Sequence, residues 1–269
     1  VVGNNYFFLS IDINRLHFAF YGNFSFDASG ITFLTPLVNG GTCHVFGGDR
    51  TQQELVKEIF ENDEINAIKV TPSHLKLLID TNFTPSKTKK MVISGGEALA
   101  VKDVETIYAR GVDMYLVSQY GPTETTIGCT AHYYKPSNKY NQDVVIGKPL
   151  ANCKAYVLDE YKNPLPYGIP GELYIGGDGV AKGYLKRPDL TDERFLDNPF
   201  DPGTKFYKTG DLVRWLANGD IEFLGRIDQQ VKIRGYRVEL GEIESAITSH
   251  DKVGQASVIY KKLIYDHLL

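Results

Sequence analysis

The segment SQYGPTETTIG, residues 118–128, gathers five hydroxyl side chains (Ser118, Tyr120, Thr123, Thr125, Thr126) and one carboxylate, Glu124. An apolar run, Met114-Tyr115-Leu116-Val117, leads into it, and Gly121-Pro122 breaks it. A buried strand that ends in so many oxygen atoms is suited to holding a hard cation, a phosphate or a polar ligand. The same composition also makes an ordinary capped turn of the Asx/ST type, so the choice depends on what surrounds it.

The elements upstream alternate in type. Thr51 is placed to cap a helix over 51–62 that carries Leu55, Val56, Ile59 and Phe60 on one face. A short strand at 67–70 follows, and Pro72 opens a second helix bearing Leu75, Leu78 and Ile79. A strand over 91–94 stops at Gly95-Gly96, a helix spans roughly 101–110, and a strand covers 114–118. This β-α-β-α-β order predicts an α/β fold with a parallel or mostly parallel sheet and helices packed on it. Ligands of such sheets sit at the carboxyl ends of the strands. Lys69-Val70, Ser94-Gly95-Gly96-Glu97 and Ser118-Gln119-Tyr120-Gly121 all lie at those ends.

From Val145 to Gly225 the chain is rich in glycine and in short β-like runs such as 155–158 and 172–175. LVRWLANGDIEFL, 212–224, predicts a hairpin with a two-residue turn at Asn218-Gly219. The run Ile175-Gly176-Gly177-Asp178-Gly179 reads as strand and turn punctuation rather than a phosphate cradle. Beyond Arg226 the pattern predicts a strand at 230–233, a helix at 240–250 with Ile243, Ala246 and Ile247 inward, and a strand at 256–260.

The 269 residues are enough for one large or two smaller domains, and 42% hydrophobic with 23% charged residues is typical of a soluble globular protein. A net charge of −4 argues against nucleic acid as the main partner. No apolar run approaches a membrane span, and no signal peptide is visible. Cys43, Cys129 and Cys153 are scattered and odd in number, which fits reduced thiols in a cytoplasmic protein better than a disulfide framework or a zinc site. The chain opens on Val1-Val2-Gly3 without an initiating Met and closes on Leu268-Leu269, and is read as truncated at both ends.

Four long motifs follow in order: YGPTETT at 120–126, GELYIGGDGVAKGYLKRPDLT at 171–191, YKTGDL at 207–212 and GRIDQQVKIRGYRVELGEIE at 225–244. With FDAS at 26–29 and SGGEAL at 94–99, they resemble the amino-acid adenylation domain of nonribosomal peptide synthetases, in the adenylate-forming, acyl-CoA synthetase-like superfamily. The resemblance covers roughly residues 18–262. It implies a partial adenylate-forming fold: 1–145 as the α/β part of the large N-terminal subdomain, 146–227 as a β-rich subdomain, and 228–269 as the start of a mobile α+β C-terminal lobe. It implies attack of an amino-acid carboxylate on the α-phosphate of ATP with Mg²⁺, then loading onto the phosphopantetheine thiol of a carrier protein beside condensation domains, in antibiotic or other secondary metabolism.

The resemblance also assigns residues. Glu124 would ligate Mg²⁺, Thr123 would hydrogen-bond the phosphate and Tyr120 would lie against adenine, with Gln119, Gly121 and Glu97 beside the nucleotide. Asp211 would accept the ribose hydroxyls and Arg226 would make a second ribose and phosphate contact. Gly95 and Gly96 would admit the adenine edge. Asp228 matches the hinge, with Lys232 and Gly235 in the mobile lobe. Asp27 would pair with the substrate ammonium. The plain alternatives are a turn-capping Asp211, a surface Arg226, a solvated loop at Asp228 and a helix-capping Asp27. The family's pocket positions fall on Asp27, Ala28, Ile31, Lys69, Val92, Ser94, Gln119, Ile127 and Gly128. Lys69 at a buried strand end needs a partner, water or Gln119, that a substrate carboxylate or carboxamide could replace. Lysine there resembles pockets for aspartate or asparagine; an outward Lys69 and an aliphatic pocket is the alternative. The family's phosphate loop and catalytic lysine are not found in the chain, and the fragment alone is expected to be inactive. A non-catalytic relative that binds nucleotide or partner modules, and an acyl- or aryl-CoA ligase, are the competing readings.

Overall fold

In the computed structural model, the described residues are 15–233, 235–250 and 252–261. The chain's two ends, which match no motif, lie outside them. Strand β1 (His17–Phe20), helix α1 (Ser29–Val38) and strand β2 (Thr42–Val45) open the fold. Thr51 then caps α2 (Gln52–Glu61): its side chain accepts from the Glu54 N–H while the Glu54 carboxylate accepts from the Thr51 N–H, a full capping box. Strand β3 (Ala67–Val70) leads to α3 (Pro72–Ile79), where Thr71 makes the same reciprocal cap with His74. Then come β4 (Lys90–Gly95), α4 (Val101–Ala109) and β5 (Met114–Tyr120).

These strands join β6 (Thr130–Tyr133) and β7 (Lys148–Pro149) in a seven-stranded sheet of order β2-β1-β3-β4-β5-β6-β7. The pairings from β2 to β5 are parallel, and β6 and β7 are antiparallel. This sheet runs past residue 145, where the sequence pattern predicts a boundary. One face packs Ile68, Val70 and Val92 under Val56, Ile59, Leu75, Leu78 and Val104 of the helices. The other face brings Ala67, Met91, Ile93 and Val117 against Ile31 of α1, with Ile127 beside them.

A second sheet contains β8 (Cys153–Leu158), β9 (Gly171–Gly177), β10 (Phe195–Asp197), β11 (Lys205–Trp215) and β12 (Ile221–Arg226), in the order β10-β11-β9-β8 with β12 on β11. The short helix α5 (Pro188–Arg194) precedes β10. Val157, Leu173, Ile175, Val213 and Ile221 form its core, which also takes in Tyr120 and Cys129 from the first sheet. The oxygen-rich turn therefore stands where the two sheets meet.

The predicted hairpin forms between β11 and β12, but its turn is not the two-residue kind. Leu216 N–H donates to Asp220 O at 2.8 Å and Gly219 N–H to Leu216 O at 2.9 Å, closing a loop over Ala217-Asn218-Gly219. Within this loop only Gly219 takes a positive φ, 81°. This is a three-residue loop with glycine at its left-handed position. Asn218 keeps ordinary φ because its side-chain oxygen accepts from Asp220 N–H at 3.0 Å.

Strands β13 (Val231–Ile233) and β14 (Tyr236–Val238) form a small third sheet ahead of α6 (Leu240–Thr248). Here two expectations fail. Ile243 and Ile247, expected inward, are 39% and 41% exposed, and Ala246 is exposed with them. Among the described residues no element covers that face, so its helical periodicity finds nothing to bury against. Residues 256–260 do not form a strand. In place of a ladder bond, Val258 N–H donates to Glu244 Oε1 at 2.8 Å.

Candidate nucleotide and amino-acid site

Tyr120 ends β5 and is 7% exposed. Its hydroxyl donates to Asp211 Oδ2 in a short bond. Burial and the adjacent Asp211 carboxylate push that phenol well above its usual range. Asp211 sits in β11 opposite Arg226 of β12. Arg226 Nη1 donates to Asp211 Oδ1 and to Thr209 O, each at 2.8 Å, and its Nε donates to Asp228 Oδ1 at 2.8 Å. Burial works against the Arg226 charge, but Asp228 and Asp211 outweigh it and hold the guanidinium protonated above its usual range. Two carboxylates thus grip one fork, a strong charge-assisted arrangement.

The turn after β5 forms a 3₁₀ segment, Thr123–Thr125. Thr123 is exposed and Glu124 is 6% exposed. Glu124 Oε1 accepts from the Tyr184 hydroxyl at 2.6 Å and from Arg237 Nη1 at 2.7 Å. Burial pushes this carboxyl up, but the Tyr184 bond and the Arg237 charge together hold it below the usual carboxylate range. Glu124 Oε2 is buried without a partner among the described residues. An orphaned carboxylate oxygen fits a hard cation, which takes oxygen ligands. Among the described residues no group of three or more His, Cys, Asp or Glu could hold a metal. A cation here would therefore complete its shell from substrate oxygens and water, as Mg²⁺ commonly does.

Lys69 ends β3, and its Nζ donates to Gln119 Oε1 at 2.8 Å. Burial pushes the ammonium down to about 7, Asp27 opposes the shift and Lys232 adds to it. The registers Lys69↔Ile93 and Gly95↔Gln119 put these four residues on the face toward α1. Asp27 and Ala28 precede α1, Ile31 lies within it, and Ile127 packs on the same cluster. A Cβ on Gly95 would collide with the Gln119 carbonyl oxygen and come within 2.8 Å of Lys69 Nζ. Gly128 similarly lies against the Gln119 side chain.

Two residues expected in the pocket do not share the face of Lys69. Val92 is fully buried under the helices on the opposite face, and Ser94 shares its parity on β4. The face of β4 that carries Ile93 and Gly95 is the one shared with Lys69 and Gln119, because a strand alternates faces with a period of two. Gly95 is also filled in on its lysine side, so of the glycine pair Gly96 is the one with open space.

Sequence patterns do not reveal the contacts made by distant segments. Glu97 Oε2 accepts from Ser73 N–H at 3.1 Å and Ser73 Oγ at 2.6 Å, and Oε1 accepts from Gly235 N–H. Lys232 Nζ lies 6.0 Å from the Tyr120 ring centroid. With Arg237 on Glu124, these contacts lay the β13–β14 hairpin over the turn. Neither Tyr184 nor Arg237 carries a local signal of a role; each stands inside a motif recognised only as a string.

No helix among the described residues is long and apolar enough to cross a membrane. The family model described as AMP-binding enzyme matches residues 6–185. The chain is 45% identical over 247 residues to tyrocidine synthase 3 of Brevibacillus parabrevis, covering 91% of the chain and 4% of that protein. It is 43% identical over 250 residues to bacitracin synthase 3 of Bacillus licheniformis, covering 92% of the chain and 4% of that protein. Among solved structures it resembles a four-domain nonribosomal peptide synthetase bound to AMP and glycine (35% identity, TM-score 0.74, 98% of the chain and 20% of the other). It also resembles a nonribosomal peptide synthetase protein with adenylation and PCP domains bound to a vinylsulfonamide inhibitor (27% identity, TM-score 0.80, 88% of the chain and 42% of the other). The chain thus spans less than a tenth of these curated relatives and less than half of these structures. With the carboxyl ends of its parallel strands meeting a carboxylate–guanidinium cluster where two sheets join, the chain belongs to the AMP-binding enzyme family.

Proposed function

We propose that the chain activates an amino acid with ATP, giving an aminoacyl-adenylate and pyrophosphate, for loading onto the phosphopantetheine thiol of a carrier protein in nonribosomal peptide synthesis. The observation that carries this reading is that one strand end serves two sites. Gln119 bonds Lys69, whose charge Asp27 supports, while its neighbour Tyr120 bonds Asp211, which Arg226 holds. An amino acid on the first face and a nucleotide on the second would meet across the end of β5.

In this reading Asp27 receives the substrate ammonium and Lys69 the far end of its side chain. A carboxylate or carboxamide takes the place of Gln119 on Lys69, which makes aspartate or asparagine the expected substrate. Ile31, Ile93, Gly95, Ile127 and Gly128 shape the pocket between them. Asp211, held by Arg226, turns its oxygens from the Tyr120 hydroxyl to the ribose diol, and the Tyr120 ring lies along adenine. Positioning of the two reactants supplies much of such a rate enhancement. Mg²⁺, when bound, neutralises charge on the phosphates; Glu124 would hold it, with the Thr123 hydroxyl on a phosphate oxygen. Asp228, tied to Arg226 at the end of β12, is read as the hinge between 146–227 and the lobe at 228–269, with 1–145 as the α/β part. Carrier-protein and condensation domains are the expected partners, in the cytoplasm.

Amino-acid-dependent ATP–pyrophosphate exchange by the full-length polypeptide, run across all twenty amino acids, tests the reading. Preference for aspartate or asparagine, lost in Lys69→Ala, is expected. A preference for Leu, Val or Phe that Lys69→Ala leaves unchanged would overturn the substrate assignment. Glu124→Gln is expected to lose about 10²–10³ in exchange rate, the scale of one lost charge-stabilising group. Thr125→Ala, whose hydroxyl donates to Pro122 O at 3.0 Å, should lose far less.

A further inference from the structure

The loop between β9 and α5 lays Tyr184 against the turn that carries Glu124. Its hydroxyl donates to Glu124 Oε1 at 2.6 Å and lies 3.2 Å from the Tyr207 hydroxyl. Since the Tyr184 proton goes to the carboxylate, the Tyr207 hydroxyl is the donor to Tyr184. The Tyr184 ring stands edge-on to Phe195 at 5.3 Å, and Phe195 in turn lies 5.1 Å from the Tyr207 ring. The backbone is fixed as well: Tyr184 N–H donates to Thr191 Oγ1 at 2.9 Å, and Ala181 N–H donates to Glu124 O at 2.8 Å. The hydroxyl is therefore held from its ring, its backbone and its far side.

The consequence is an asymmetric carboxylate. Tyr184 and Arg237 both bond Oε1, while Oε2 has no partner among the described residues although Glu124 is only 6% exposed. A buried polar atom left unpaired is destabilising, and a freely rotating carboxylate would share its donors between both oxygens. Something must hold it with one oxygen bare. Arg237 is 40% exposed and comes from a separate hairpin, whereas Tyr184 belongs to the packed aromatic group.

We propose that Tyr184 is a positioning residue for Glu124: its hydroxyl pins Oε1 so that Oε2 is presented to a divalent cation arriving with the nucleotide phosphates. The inference rests on the reading of Glu124 given above. Groups that orient metal ligands commonly matter nearly as much as the ligands.

The test uses the full-length polypeptide with a non-hydrolysable ATP analogue, and follows Mn²⁺ binding by the loss of the free-ion electron paramagnetic resonance signal. Tyr184→Phe keeps the ring and removes the hydroxyl. It is expected to weaken Mn²⁺ binding about tenfold, the lower end for loss of an outer-shell partner. The Mg²⁺ concentration for half-maximal pyrophosphate exchange should rise in step, with the amino-acid KM unchanged. Glu124→Gln is the reference and should weaken Mn²⁺ binding further. Wild-type Mn²⁺ affinity in Tyr184→Phe, with loss in Glu124→Gln, overturns the role of Tyr184 alone. Wild-type affinity in both variants overturns the reading of Glu124 as well. If Tyr184→Phe does not fold, Tyr207→Phe removes the donor that orients the Tyr184 hydroxyl. It should then weaken Mn²⁺ binding about threefold, a fraction of the outer-shell effect, and no change would count against the proposal.

Discussion

The seven-stranded sheet has a desolvated lysine at each end. Lys90 begins β4 and is 1% exposed; its Nζ donates to the backbone carbonyls of Ile65 at 2.7 Å and Asn62 at 2.9 Å. Lys69 ends β3, and its Nζ donates to the side chain of Gln119. Burial pushes both ammonium groups down, Lys90 to about 8 against the opposing Asp63, and Lys69 to about 7 against Asp27. Lys90 is buried and Lys69 half-buried, and their partners differ in kind. Backbone carbonyls are fixed by the fold, so Lys90 is a clamp on the connection from α2 to β3. A glutamine side chain can rotate away, so Lys69 can exchange its partner for a ligand. The amino end of a parallel sheet holds the chain, and the carboxyl end is left free to bind.

The sharpest way to break this comparison is Lys90→Met. It strands the buried carbonyl of Ile65, while Asn62 O keeps the Ile65 N–H at 3.4 Å. Denaturant unfolding should show a loss of about 1–3 kcal/mol, the cost of one unpaired buried group, while the amino acid preferred in pyrophosphate exchange stays the same. A shift in preference would mean that the two ends are not separate. Gly95→Ala comes next, because its new Cβ collides with β5 and crowds Lys69. Overpacking of this kind typically costs about 1–3 kcal/mol, and here it should be accompanied by a raised KM for the amino acid. Lys69→Met should do the reverse of Lys90→Met, changing stability by less than about 1 kcal/mol, since removing a desolvated charge offsets the lost bond to Gln119. It should abolish the preference for an acidic or amide side chain.

The change per pH unit is the gentlest of these effects, although it accumulates over the interval. An unfolded lysine ionises near its ordinary value of about 10.4, whereas the folded Lys69 and Lys90 are held at about 7 and about 8. Between these values the unfolded chain binds more protons, so stability rises with pH from about 7 towards 10. Denaturant midpoints measured along this interval should climb, and Lys69→Met should flatten the slope. A slope unaffected by the substitution would show that Lys69 is solvated in the folded state.

Much of the scaffold could be read from the sequence because its signals are local. The Thr51 capping box, Pro72 at the start of α3 and the apolar face Leu55-Val56-Ile59-Phe60 each need only neighbouring residues. The carboxyl-end rule then located Lys69, Gln119, Tyr120 and Glu97 at strand ends without further help. What failed depended on more than one segment. Strand period alone does not fix which of Val92 and Ile93 faces α1; the pairing Lys69↔Ile93 does. Asn218-Gly219 predicts a tight turn until the Asn218 side chain is known to accept from Asp220. The apolar stripe of α6 has the periodicity of an inward face, but periodicity does not supply a surface to cover it. Tyr184 and Arg237 reach Glu124 across 60 and 113 residues of chain, a pairing that no local pattern encodes.

The turn after β5 also carries two consecutive non-glycine residues in the left-handed region, Thr126 with φ 59° and Ile127 with φ 72°. For a β-branched side chain this is a strained position, at roughly 1–3 kcal/mol. Thr126 is retained there by its hydroxyl bond to Gly179 O at 2.7 Å, and Ile127 by packing in the α1-side cluster. Glycine at either position would release that strain but would forfeit the hydroxyl bond or the packing and add chain entropy to the unfolded state. Selection for heat resistance alone therefore has little to gain here, and a glycine would take away the wall between α1 and the end of β5. The turn marks a place where the contacts that shape the site are also the ones that keep a strained backbone in place.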